Sequence, residues 1–127
     1  MTDSDRGGGA FLVACLCAGW CRACEQYRST FDAFAHENRE SADFVWVDIE
    51  DDERVLGSVD IVDFPTLLIA QGDKIVFFGP VTPYPGTARQ LLRRALSGQL
   101  GMRYEPSLAD LQARLRTLNR VTTRSAL

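Results

Sequence analysis

One uninterrupted apolar stretch sets the strongest limit on this chain. Ala10 to Cys17 reads Ala-Phe-Leu-Val-Ala-Cys-Leu-Cys, with no polar residue at any position. A run of that length with no alternation fits a strand covered on both faces, as in a central parallel position. The turn Ala18-Gly19-Trp20 follows, then Cys21-Arg22-Ala23-Cys24. From Arg22 to about Arg39 the apolar positions Cys24, Tyr27, Phe31, Phe34 and Ala35 recur at helical spacing. The two cysteines therefore sit where a buried strand hands over to a helix. Residues three apart on a first helical turn share a face, with Cα atoms about 5–6 Å apart, within disulfide reach. The unpaired N–H groups and dipole of a helix N-terminus favour a thiolate on the first of them. Such a Cys-x-x-Cys reads first as a redox dithiol.

The rest of the chain alternates strand and helix. Phe44–Ile49 predicts a second strand, and the acidic run Glu50-Asp51-Asp52-Glu53 predicts a short helix through about Gly57. Leu67–Ala70 and Lys74–Phe78 predict a hairpin about Gln71-Gly72-Asp73, and Ala88–Leu96 predicts a further helix. Ser107 with Asp110 three residues on resembles a capping box. It would open a last helix with a stripe of Leu108, Leu111, Leu115 and Leu118, reaching Val121. The stripe is expected to pack on its own domain; a dimer seam through this helix is the alternative use. Residues 1–9 are polar and glycine-rich and are expected to be a disordered lead-in.

With 127 residues the chain is long enough for one well-buried core, and its net charge of -3 argues against non-specific nucleic-acid binding. No run is long enough to span a membrane, and the first residues lack a signal-peptide pattern, so a cytoplasmic location is expected. A lasting structural disulfide is not expected in that compartment. All four cysteines lie within Cys15–Cys24. Cys15 and Cys17, two apart in a strand, face the same way and read first as small buried hydrophobes. A redox relay from Cys15 to Cys24, and a thiolate cluster holding zinc or iron–sulfur, are the other readings. His36 reads as a surface residue, and no phosphate-binding glycine loop occurs.

Gly19-Trp20-Cys21-Arg22-Ala23-Cys24 and Ile61-Val62-Asp63-Phe64-Pro65-Thr66-Leu67, in this order of elements, resemble the thioredoxin family over roughly residues 10–98. The resemblance implies an α/β, thioredoxin-like three-layer fold with a central four-stranded mixed sheet, β-α-β-α-β-β-α. The first strand–helix unit is lacking, and residues 99–127 form an extra C-terminal helical extension on the same domain. It implies Cys21 as nucleophile, Cys24 as resolving thiol, and a cis bond before Pro65. Trp20, Arg22, Phe64 and Pro65 would border the substrate, with Cys15 a candidate relay. It also implies thiol–disulfide exchange on a protein or peptide disulfide, a reductase to recycle the site, and no cofactor or metal. The chain departs from the family in several places. Cys15 takes the position of a buried acidic residue, Trp46 that of a lysine, and Arg22-Ala23 lacks the proline between the cysteines. These departures point to a slower or more specialised oxidoreductase, and Arg22-Ala23 in place of the proline to one less reducing than the roughly -270 mV of thioredoxin. The alternatives are a non-catalytic binding module on the same scaffold and the metal-binding cysteine cluster.

Overall fold

A computed structural model describes residues 11–50 and 53–118. The proposed lead-in and Val121 lie outside them. Four strands form one sheet: β1 (Phe11–Cys17), β2 (Asp43–Asp48), β3 (Thr66–Gln71) and β4 (Lys74–Pro80), in the order β2-β1-β3-β4. β1 runs parallel to β2 and antiparallel to β3, which pairs antiparallel with β4. Helices α1 (Arg22–Glu37), α2 (Pro85–Leu96) and α3 (Pro106–Leu115) complete the α/β fold.

Why β1 carries no polar residue is now plain: it is a central strand with a helical layer on each side. Val13, Cys15 and Cys17 enter a core with Tyr27, Phe31 and Phe34 of α1 and Ala88, Leu92 and Ala95 of α2. The alternate residues Leu12, Ala14 and Leu16 enter a second core with Leu108, Leu111 and Leu115 of α3. The period-two strand thus feeds two helical layers at once. The leucine stripe of α3 is covered by the chain's own sheet, with Leu118 partly buried against it. No helix among the described residues is long and apolar enough to cross a membrane.

Three local expectations are corrected. The helix expected from Glu50 to Gly57 is a single 3-10 turn, Glu53–Val55. Gly57 turns the chain at φ 58°, and the carbonyl of Val55 accepts a hydrogen bond from Arg114 Nε at 2.6 Å instead of continuing a helix. At the start of α3, Glu105 and not Ser107 is the N-cap, with no side-chain capping bond. Pro106 takes the first helical position, where its fixed φ and missing N–H cost nothing. α2 likewise begins at Pro85, three residues before the expected start.

Candidate functional site

The site is assembled where β1 ends, α1 begins and the chain enters β3. Cys21 is the N-cap of α1, in extended backbone, with its N–H donating to Ala18 O at 3.0 Å and its carbonyl accepting from Glu25 N at 3.1 Å. This places its thiol at the positive end of a 16-residue helix, half-buried and free. Cys24, one turn further on, is only 2% exposed.

Cys24 is bonded to Cys17, the last residue of β1, with Cα atoms 5.8 Å apart. Two sequence expectations thereby change. Cys17 is not simply a buried hydrophobe, and the bridge of Cys24 runs to Cys17 and not to Cys21. The pairing follows from the strand–helix crossing. Cys17 points from β1 into the core shared with α1, and Cys24 points inward from the first turn of that helix. Cys15 lies on the same strand face, fully buried, with its Sγ 3.7 Å from that of Cys17. Burial pushes the Cys15 thiol well above its usual range, against an opposing pull from Arg28, so it stays protonated. Among the described residues, no group of three or more His, Cys, Asp or Glu is placed to hold a metal ion.

Beside Cys21, Trp20 is 68% exposed and meets Phe64 edge to face, ring centroids 5.6 Å apart. The Phe64–Pro65 bond is cis, and Pro65 is buried, its carbonyl accepting from Val81 N at 3.0 Å. Thr66 Oγ1 donates to Asp63 O at 2.6 Å, fixing the entry to β3. Trp20, Cys21, Phe64 and Pro65 therefore stand at one end of the sheet, and Arg22 is exposed on the first turn of α1. His36 is exposed at the far end of that helix.

A cavity of about 290 Å³ reaches the disulfide, lined by Cys17, Cys24, Arg28, Trp46 and Asp48 among others. The Arg28 guanidinium sits over the Trp46 ring, 4.8 Å from its centroid. Asp48 Oδ1 accepts from the backbone N–H of Gly19 at 3.2 Å and of Glu50 at 3.0 Å, tying the turn before Cys21 to the end of β2. The sequence reading missed Cys17, Arg28 and Asp48. Only Cys17 carried a signal, its two-residue spacing from Cys15 along the strand.

Fold and site together define a thioredoxin-like α/β domain with a disulfide-forming cysteine pair. The family model for thioredoxin matches residues 8–89, and the chain belongs to the thioredoxin family. Its fold is similar to that of thioredoxin from Trypanosoma brucei brucei, with TM-score 0.62 and 23% identity over 76% of this chain and 87% of that one. It is also similar to Fasciola hepatica thioredoxin, with TM-score 0.57 and 22% identity over 75% and 86%. The germline-specific thioredoxin Deadhead of Drosophila melanogaster matches with TM-score 0.61 and 14% identity, over 72% and 86%. No curated protein matches the chain in sequence.

Proposed function

We propose that this chain is a thiol–disulfide oxidoreductase in which Cys21 attacks and Cys24 resolves. The observation that carries this reading is the free, half-buried Cys21 thiol at the N-cap of α1, one turn from Cys24. The Cys21 thiolate attacks one sulfur of a substrate disulfide; a mixed disulfide forms and the other substrate sulfur leaves as a thiolate that takes up a proton. Cys24, once reduced, attacks the Cys21 sulfur. The Cys21–Cys24 bond forms, the mixed disulfide breaks, and the substrate leaves with both sulfurs reduced. A cellular thiol reductase returns two electrons to the chain.

The exposed Trp20 ring against Phe64 gives the site an apolar wall, which supports a protein or peptide disulfide as substrate. Trapping tests the reading. Cys24→Ser cannot resolve, so a peptide disulfide is expected to accumulate as a stable adduct on Cys21, found by mass spectrometry. An unmodified Cys21 after prolonged incubation would overturn it.

A further inference from the structure

The proposed cycle uses Cys21 and Cys24, yet the bond in this structure joins Cys24 to Cys17. Resting on the reading of Cys21 as the reactive thiol, we propose that Cys24 is the shared sulfur of an internal exchange that makes Cys17 a third redox residue. The Cys21 thiolate attacks the Cys24 sulfur; the Cys21–Cys24 bond forms, the Cys17–Cys24 bond breaks, and Cys17 leaves as a thiolate. No net electrons move and no co-reactant is needed. The proton given up by Cys21 is balanced by the one Cys17 takes up.

Three observations carry this. The first is reach. Cys24 has its Cα 5.8 Å from that of Cys17 and lies one helical turn from Cys21, so both neighbours fall within bridging distance. The second is access. Cys17 and Cys24 are 1% and 2% exposed, while Cys21 is half-buried, so of the three sulfurs Cys21 is the most open to a bulky reagent. The third is the setting of the leaving group. Cys15, kept protonated by its burial, has its sulfur 3.7 Å from that of Cys17, within reach of an S–H···S⁻ hydrogen bond. The Arg28 cation lines the same cavity as Cys17 and Cys24. Both features favour a thiolate on Cys17, and a better leaving thiolate is displaced faster. While Cys17 holds Cys24, a substrate captured on Cys21 is not resolved. The internal exchange therefore sets whether the site works with one thiol or two.

The test needs no substrate. The full chain is oxidised with glutathione disulfide, cleared of reagent, quenched in acid at intervals, alkylated and mapped by mass spectrometry. Wild type is expected to contain both the Cys17–Cys24 and the Cys21–Cys24 bonds. They should interconvert on a shift from pH 5 to pH 8, at a rate independent of protein concentration. Cys21→Ser should keep only Cys17–Cys24, and Cys17→Ser only Cys21–Cys24. Cys15→Ala should slow the interconversion while leaving the alkylation rate of Cys21 unchanged. A ten-fold preference of wild type for Cys17–Cys24 would make the couple of Cys17→Ser about 30 mV less reducing. Oxidised wild type holding Cys21–Cys24 alone would overturn the proposal, as would a Cys17–Cys24 bond that persists at pH 8 beside a free Cys21. If Cys17→Ser does not fold, wild type against Cys21→Ser still decides. An adduct-free Cys21 in the trapping experiment would be a separate failure, of the oxidoreductase reading.

Discussion

Cys17 and Cys24 are joined across the turn from β1 to α1, and Cys21, between them in sequence, keeps a free thiol. The other free thiol, Cys15, is fully buried in the central strand. Brief alkylation of the native oxidised chain is therefore expected to label Cys21 and spare Cys15. Cys15 should react at least about a hundredfold more slowly, through opening of the strand. Equal labelling rates for the two, measured by mass spectrometry against time, would contradict this placement.

Gly19 is held close to Asp48 for a reason of space. A Cβ at Gly19 would lie 2.7 Å from Asp48 Oδ2, and the same carboxylate accepts from the Gly19 and Glu50 N–H groups. Gly19→Ala must push the carboxylate off these bonds and is expected to cost about 1 kcal/mol. Asp48→Ala loses the same bonds while making room for the Cβ. The double variant should thus be less destabilised than the two single costs added together. Additive costs in urea unfolding would show that the two residues act independently.

Much of this architecture is legible in the sequence. The unbroken apolar run of β1 requires cover on both faces, and the apolar spacing of α1 selects Cys24, Tyr27, Phe31, Phe34 and Ala35, all of them buried. The partner of Cys24 is not legible. Helical spacing brings Cys21 near it, but Cys17 approaches through the crossing of β1 and α1, which no local pattern encodes. The acidic run misleads for a related reason. It suits a helix start, yet the positive φ of Gly57 and the tie from Arg114 to Val55 leave a single turn. At Glu105 the proline after it, and not a capping side chain, sets where α3 begins.

Tyr27 packs its ring against Phe31, centroids 6.2 Å apart, but its buried hydroxyl has no hydrogen-bond partner among the described residues. A buried polar atom without a partner costs its desolvation with nothing in return. Tyr27→Phe removes that atom and keeps the ring. It is expected to be neutral or to stabilise by up to about 1 kcal/mol, whereas most core substitutions destabilise. A loss above that size in chemical denaturation would mean that the hydroxyl has a favourable role.

Alkaline pH should weaken this fold through the same buried strand. Burial drives the Cys15 thiol up from its ordinary value of 9.0, outweighing the opposing pull of Arg28. Above about pH 9 the unfolded chain has released this proton while the folded chain retains it. The unfolded state then binds fewer protons, so stability is full below pH 9 and falls as pH rises. The slope approaches about 1.4 kcal/mol per pH unit for one thiol. Tyr27 adds a loss of the same sign from about pH 10, since burial, and after it Cys15, raise its phenol as well. Urea unfolding of Cys21→Ser at pH 7, 9 and 10.5 reads this with internal exchange blocked. Adding Cys15→Ala should delay the onset of the loss from about pH 9 to the tyrosine range. An unchanged onset in that double variant would place the alkaline weakness somewhere other than β1.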